Sequence, residues 1–423
     1  MEANLSRRSF FTKGAFAGSA GAAMLANFGS GIQAAVNNTP LSSSPSELKI
    51  TDLKCAYMRG HGVHLFVKIY TNQGIVGIGE GMDAVRGTYG LVKSMGDRLK
   101  GKNPLDVYRL FEDIRKGGVF GGAQAGVFIS VLSAVEIALW DLAGKALGLP
   151  VYRLLSGKFR DKLHMYTHPR LNLREPEKIA AECLDAQKAG YDAIKFSLDW
   201  NDDPNKLDAY NTTANNKEVE RMVNQVAAVR EAVGPYMGIA AEMHTRYDLP
   251  TGIKMAKALE PYNLMWMEEP IPAENMDSLR QINQSTSVSV CVGENLFLAH
   301  DFRKLLDKQA ADIVMPDVEK CGGLGEAQRI ANLANLYYVP FAPHMVATPL
   351  GMMASAHVCA SVPNFLSLES HMMSREEQWR ELVTEFPIIE NSFLTLSEKP
   401  GIGIELNEDG VRKYAVEGIP FFE

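Results

Sequence analysis

Gly238-Ile-Ala-Ala-Glu242-Met-His244-Thr-Arg246, then Met265-Trp-Met-Glu268-Glu269-Pro270, then Val290-Cys-Val-Gly-Glu294-Asn295 are three short apolar runs, each closed by a carboxylate. The intervals from Glu242 to Glu268 and from Glu268 to Glu294 are equal, and helix-like segments, Pro250 to Tyr262 and Ala273 to Gln284, fill them. An apolar strand, a helix and another apolar strand make the βα unit of a parallel sheet. When such units close into a barrel, residues at the C-terminal strand ends converge on one mouth. Three glutamates there form an all-oxygen cluster suited to a hard divalent cation such as Mg2+. Without a cation their charges repel and raise one another's pKa. One glutamate after an apolar run would signify only the start of a loop. Three at the same point of a repeat point to a ligand set.

Working outward, the same rhythm predicts strands at Leu163–Thr167, Ala193–Ser197, Gly238–Met243, Leu264–Glu268, Ser289–Gly293, Ile313–Met315, Tyr338–Ala342 and Phe365–Glu369. That is a barrel over residues 161–386. The acidic, Asn-rich stretch Asp199 to Lys217 interrupts the rhythm after the second strand. It reads as a substrate lid or as a solvated insertion. Upstream, Lys49–Met58, His64–Thr71 and Ile75–Glu80 alternate like strands, with a turn at Asn72-Gln-Gly74. Helical stretches follow at Thr88–Leu99, Leu105–Lys116 and Gln124–Leu147. Residues 48–160 therefore form a separate α+β domain, which the tail, 387–423, is expected to complete.

A chain of 423 residues, 46% hydrophobic and 22% charged, can bury a sizeable core. A net charge of −7 gives no footprint for nucleic acid. The five cysteines make neither a metal-ligand spacing nor a disulfide framework, and read as small buried apolar residues. Ser6-Arg7-Arg8-Ser9-Phe10-Phe11-Thr12-Lys13 precedes a Gly/Ala-rich apolar run, Gly14 to Phe28. Paired arginines before such a run resemble a twin-arginine export signal over residues 1–36, with a linker at 37–47. A periplasmic protein with no stable membrane span after signal removal is the expectation.

Several side chains fall where chemistry would need them. His244 lies two residues beyond Glu242, so on a strand it shares that face. Asp317 ends the sixth predicted strand and His344 the seventh, which makes them neighbours around a ring. A carboxylate behind an imidazole fixes its tautomer and raises its basicity. Such a dyad can remove a proton next to a carboxylate, with a cation stabilising the resulting enediolate. Glu369, at the end of the eighth strand, would donate a hydrogen bond to the enediolate if it is kept protonated. Lys195 ends the second strand and is placed to hold a substrate carboxylate. His168, Arg170, Arg246 and His371 fall near strand ends as hydroxyl or carboxylate contacts.

Taken together, these residues resemble the enolase superfamily, in its mandelate racemase branch, from about Leu48 to Glu423. The resemblance rests on Glu242, Glu268-Glu269-Pro270 and Gly293-Glu294-Asn295, on Met315-Pro-Asp317 with Lys320-Cys-Gly-Gly323, and on Pro343-His344. It implies an α/β fold, a modified (β/α)7β TIM-type barrel with an N-terminal α+β capping domain, and Mg2+ held by Glu242, Glu268 and Glu294. The first glutamate of Glu-Glu-Pro is the implied ligand. Where many racemases of the branch carry Lys-x-Lys, this chain has Lys195-Phe-Ser197, and serine cannot serve as the second base. Glu242-Met-His244 instead resembles the Asp-x-His of galactonate dehydratase-like enzymes, with Glu for the more common Asp. Glu260-Pro-Tyr262 to Ala273-Glu-Asn275 is also similar to mannonate dehydratases.

The galactonate-type pattern implies dehydration of a sugar acid to a 2-keto-3-deoxy acid. His344 with Asp317 would take the α-proton and His244 would protonate the leaving hydroxyl. It also implies a homo-oligomer, and substrate selection by cap loops around Arg59–His64 and Gly81–Tyr89. The competing readings are a racemase, epimerase or cycloisomerase using the same enolate, and a sugar-acid binding protein without turnover.

Overall fold

In the capping region, β1 (Ile50–Gly60), β2 (Gly62–Thr71) and β3 (Val76–Gly81) form an antiparallel meander in that order. The structure, a computed structural model, describes residues 43–82, 86–169 and 173–423. The expected export signal, Arg170 and part of the second cap loop lie outside them. Three helices follow: α1 (Tyr89–Leu99), α2 (Val107–Gly117) and α3 (Gly126–Leu147). All lie within three residues of their expected starts: α1 and α2 carry an apolar face at helical spacing, and α3 is apolar on nearly every face, as a buried helix is. α3 is long and apolar enough to cross a membrane, but most of it is buried inside the protein as a core helix. It lies directly on β3, whose sequence alternates glycine with larger residues. A Cβ at Gly77 or Gly79 would come within 2.2 Å of Ala138 O or 2.1 Å of Ala134 O. The close approach therefore requires glycine on that face.

The parallel strands β4 (Lys162–Thr167), β5 (Ala193–Ser197), β6 (Gly238–Glu242), β7 (Trp266–Glu268), β8 (Val290–Val292) and β9 (Ile313–Val314) are neighbours in that order. The expected seventh strand, Tyr338–Ala342, reduces to single bridges, Val314 to Phe341 and Phe341 to Phe365. β10 (Leu368–Ser370) then pairs with β4 and closes the ring. The connecting helices are α4 (Pro176–Lys188), α5 (Asn216–Val233), α6 (Leu249–Leu259), α7 (Met276–Asn283), α8 (Leu298–Asp307), α9 (Gly323–Leu336), α10 (Pro349–Ala360) and α11 (Met372–Leu382).

Period-two alternation sorts the strand residues. Ile194, Phe196, Ile239, Ala241 and Met267 join the core between strands and helices. Tyr166, Ala193, Ala240, Trp266, Cys291 and Ala342 fill the barrel interior. Large and small residues interleave there, and Tyr166 meets Trp266 edge-on with centroids 5.3 Å apart. All five cysteines are buried and free.

Two expectations about the chain ends need correcting. The tail does not return to the cap as a unit. β11 (Ile389–Glu390) and β12 (Phe393–Thr395) form a hairpin that pairs antiparallel with the first half of β4. β10 covers only Met165–Thr167, so the start of β4 offers an open edge that the hairpin fills. After the hairpin the tail does reach the cap: Ile402 N donates to Asp141 Oδ1 at 2.9 Å, Lys145 pairs with Glu405, and Val416 N donates to Tyr57 O and Phe422 N to Cys55 O, both at 2.8 Å. The end of the expected linker is also ordered against the cap: Pro45–Glu47 form a 3-10 turn, and Ser43 Oγ donates to Ala146 O.

Buried carboxylates join the cap to the barrel. Glu80 of β3 accepts from Thr348 N, Thr348 Oγ1 and Gly351 N at the start of α10, at 2.9, 2.6 and 2.9 Å, and lies 2.8 Å from His64 Nδ1. Glu136 of α3 accepts from Leu324 N and Gly325 N at the start of α9. A carboxylate at a helix N-terminus satisfies otherwise orphaned N–H groups and complements the helix dipole. These two helices follow directly after His344 and Asp317, so the cap anchors the segments that carry that pair.

Candidate active site

Strand register brings the three glutamates together. Glu242 and Glu268 are the last residues of β6 and β7 and are direct partners across the pair. Glu294 lies just beyond β8, after Gly293. The φ of Gly293 is +148°, and a Cβ there would meet the Met315 backbone at 2.9 Å. One carboxylate oxygen from each glutamate lies within 4.8 Å of the other two. Glu269 is not in the cluster; its Oε1 accepts from Gly293 N at 2.7 Å. Trp266 Nε1 donates to Glu268 Oε2 at 2.7 Å, so the barrel filling orients this ligand.

Burial, then Glu268 and Glu294, push the Glu242 carboxyl well above the usual range. Its Oε2 is buried with no hydrogen-bond partner among the described residues. Such an orphaned oxygen is costly unless something else meets it. An all-oxygen set with an unsatisfied buried member fits Mg2+.

Asp317 and His344 are bridge partners across the barrel wall, with His344 Nδ1 2.7 Å from Asp317 Oδ2. His344 Nε2 lies 3.1 Å from Glu294 Oε2. Burial works against the imidazolium, but Glu294, Glu369 and Asp317 outweigh it and hold the ring at about 9. The strand ends at Glu242, so His244 does not reach the mouth by strand alternation as expected; a left-handed backbone, φ +45°, turns it, and its N–H donates to Glu242 Oε1 at 2.6 Å. It stands at the same mouth as His344 and, with Glu294, Lys195 and Glu369, lines one cavity of about 450 Å³. That volume suits a small ligand.

The structure corrects other roles. Lys195 is not free to clasp a substrate carboxylate. It is 3% exposed, and its Nζ lies 2.7 Å from Glu268 Oε1 and 2.8 Å from Glu369 Oε1. Burying so many carboxylates demands an internal cation, and Lys195 is it. Glu369 is not held protonated. Burial raises its carboxyl, but Lys195, then His344, outweigh it and take it well below the ordinary range. It is therefore an acceptor, taking hydrogen bonds from Tyr166 Oη at 3.3 Å and Met345 N at 3.2 Å.

His168 and His371 do line the cavity, stacked with centroids 5.2 Å apart. Burial takes His168 down to about 3, so it is neutral at pH 7. Arg246 reaches the cavity, but its Nε is committed to Asp199 Oδ2 at 2.9 Å.

Sequence reading missed two contributors. Asp199 lies 2.6 Å from His244 Nδ1 through its Oδ1, although it begins the stretch taken for a lid or insertion. No local pattern pairs it with His244; only adjacency of β5 and β6 does. His61, from the turn between β1 and β2, lines the cavity near His371, with centroids 6.2 Å apart. The expectation that a cap loop reaches the pocket holds there.

Comparison with known proteins agrees with this geometry. Residues 50–156 match the mandelate racemase / muconate lactonizing enzyme N-terminal domain, and residues 178–410 match the enolase C-terminal domain-like family. The chain is 38% identical over 382 residues to a D-xylonate dehydratase of Haloferax volcanii, covering 89% of this chain and 91% of that one. It is 30% identical over 353 residues to a D-galactonate dehydratase of Pectobacterium atrosepticum, covering 82% and 89%. Among solved structures, a mandelate racemase/muconate lactonizing enzyme-like protein from Rubrobacter xylanophilus superposes with a TM-score of 0.85 at 42% identity, over 89% of this chain and all of that one. With both domains matched and the carboxylate mouth in place, the chain belongs to the mandelate racemase / muconate lactonizing enzyme family of the enolase superfamily.

Proposed function

We propose that this protein is a hydro-lyase that dehydrates a sugar acid to a 2-keto-3-deoxy acid. The carrying observation is that Glu294, one member of the three-glutamate cluster, lines one cavity with the Asp317-backed His344 and with His244. The similarity to xylonate and galactonate dehydratases supports the same reading.

Glu242, Glu268 and Glu294 would hold Mg2+, which when bound supplies positive charge for the substrate carboxylate and for the negative charge that develops on it. His344 Nε2 takes the proton from the carbon next to the carboxylate, and Asp317 holds the ring through Nδ1. Glu294 is the strongest of the contacts that raise His344, so a Glu294 engaged as a ligand leaves Nε2 to the substrate. The electron pair of the broken C–H bond forms an enediolate. It then moves to expel the hydroxyl from the next carbon, and His244 gives that hydroxyl a proton, releasing water. The enol left behind tautomerises to the 2-keto acid. Lys195 offsets the charge of Glu268 and Glu369 at the mouth.

The test is a screen of an acid-sugar library with Mg2+ in D2O, reading both keto-acid formation and α-deuterium uptake. Keto acid from one or a few sugar acids establishes the reaction. Deuterium uptake without keto acid overturns dehydration in favour of racemisation, epimerisation or cycloisomerisation. Tight binding with neither signal favours a binding protein.

Two further readings belong to this proposal. Arg7-Arg8 and the apolar run after it support twin-arginine export to the periplasm; an R7K/R8K variant that still fractionates with the periplasm would refute it. Family membership supports a homo-oligomer, and a monomeric mass in light scattering would refute that.

A further inference from the structure

His344 is not the only imidazole at the mouth with a carboxylate behind it. Asp199 lies 2.6 Å from His244 Nδ1 through Oδ1 and accepts from Arg246 Nε through Oδ2 at 2.9 Å. The Asp199 side chain is 5% exposed, whereas that of His244 is 42% exposed. We propose that Asp199 is a positioning residue for His244: it holds the ring through Nδ1 so that Nε2 presents the proton delivered to the departing hydroxyl. This rests on the dehydratase reading and assigns the residue that orients its acid.

Two rigid backbones meet at this contact. On one side, residues 198–203 are clamped. Leu198 N donates to Glu242 O at 2.8 Å, and Arg221 Nη2 donates to Leu198 O at 2.7 Å. The Arg221 guanidinium lies 3.9 Å from the Trp200 ring centroid and its Nε donates to Asp203 Oδ2 at 2.7 Å. Arg174 covers the same ring at 5.1 Å and pairs with Asp202 at 2.8 Å. On the other side, His244 and Thr245 both hold left-handed backbones, φ +45° and +57°, fixed by bonds to Glu242 Oε1 and Glu269 O. Non-glycine residues occupy that region at a cost, and the surrounding bonds sustain it. A ring on such a backbone, held by a carboxylate on another, is preorganised.

The chemistry follows from the inventory of donors. With Nδ1–H given to Asp199, the proton available for transfer is on Nε2. Arg246 keeps the second carboxylate oxygen occupied, so Asp199 cannot rotate away without breaking two contacts. His371 also lies 3.2 Å from Glu369 Oε1, but the two carboxylate-backed imidazoles given proton-transfer roles are His344, for removing a proton, and His244, for delivering it. At the strand end where Ser197 stands, this chain supplies not a second base but, two residues on, the support for an acid.

The test compares wild type with D199N, D199A and D199E, the first keeping shape and the last restoring charge at longer reach. The sugar acid found for the wild type is used, with Mg2+ in D2O. Dehydration by D199N and D199A should fall about 10²-fold in kcat with KM changed less than about threefold. Solvent exchange of the α-hydrogen, which needs His344 and not His244, should persist in D199N, and D199E should recover part of kcat. Equal loss of exchange and dehydration, or unchanged kcat, would overturn the proposal. An independent readout is 15N NMR of histidine-labelled protein, with H244N identifying the resonance. The His244 Nδ1–H signal should be present in wild type and lost in D199A, which removes the acceptor; a signal unchanged in D199A refutes the positioning role even if no sugar acid is turned over. Inactive wild type with the expected NMR result would fault the dehydratase reading and leave the Asp199–His244 coupling standing.

Discussion

Glu80 and Glu242 are buried to the same degree, at 0% and 1% exposure, yet the protein treats them oppositely. Glu80, where cap meets barrel, accepts three hydrogen bonds from the start of α10 and contacts His64. Glu242, at the barrel mouth, has one oxygen held by the His244 N–H and the other with no partner among the described residues. Its nearest charged neighbours are Glu268, Glu294 and a lysine Nζ 3.7 Å away. A buried carboxylate saturated by the chain is a structural joint, because every lone pair already has a donor. One left unsaturated beside its own kind stores an unfavourable interaction that a bound cation relieves. The difference separates the region that makes the fold from the region that uses it.

The largest expected effect falls on the unsaturated side. H344N should lower kcat by about 10³-fold and abolish α-hydrogen exchange with solvent, the magnitude expected for loss of a general base. E242Q and E268Q should weaken Mg2+ binding at least about tenfold in titration calorimetry, and chelation should stop turnover until Mg2+ is restored. Because the metal relieves repulsion, Mg2+ should also raise the melting temperature of wild type. If E242Q melted lower than wild type without Mg2+, Glu242 would be a joint like Glu80 and the comparison would collapse.

On the saturated side the effect is on stability. E80A strands two backbone N–H groups and a hydroxyl at the start of α10, and should cost about 3 kcal/mol in denaturant unfolding. It should reach activity only through the displaced His344 segment, so kcat should fall less than in H344N.

The smallest expected effect concerns His357, a buried ring of α10 stacked on Tyr152 with centroids 5.5 Å apart. Its Nδ1 accepts from Tyr152 N at 3.1 Å, and burial takes it down to about 4. A histidine depressed in the folded state stabilises the fold above its unfolded pKa and loses that contribution as pH falls toward the folded value. Wild type should therefore lose about 2 kcal/mol between pH 7 and pH 5 from this group. H357Q should flatten that slope in urea titrations at the two pH values; an unchanged slope would place the acid sensitivity elsewhere.

The barrel was legible because its strands alternate on a fixed period and its ligands recur at a fixed interval, both properties of the chain alone. In the cap, α1 and α2 were legible from a fixed period too, and α3 from its length and its continuous apolar run. The seventh strand was not: Tyr338 to Ala342 reads as a strand, but its neighbours meet it only at single bridges. Hydrogen-bond pairing belongs to two segments at once, and one segment's composition cannot specify it. The tail hairpin was misplaced because the half of β4 that it fills is left open only by the shortness of β10, which pairs with Met165–Thr167 alone.

By itself, the sequence determined that carboxylates and imidazoles would gather around one mouth, since the strand-end positions of the glutamates follow from residue type and strand period; how His244 turns into that mouth was set by its left-handed backbone. Tertiary structure decided what each group does there. Lys195 looked like a substrate clasp and is the internal counter-ion of Glu268 and Glu369. Glu369 looked like a neutral donor and is an ionised acceptor. Asp199 looked like the start of a polar insertion and stands behind His244. Charge state and hydrogen-bond role depend on burial and on the distance to other charges, and those distances come into being only when strands far apart in the chain become neighbours.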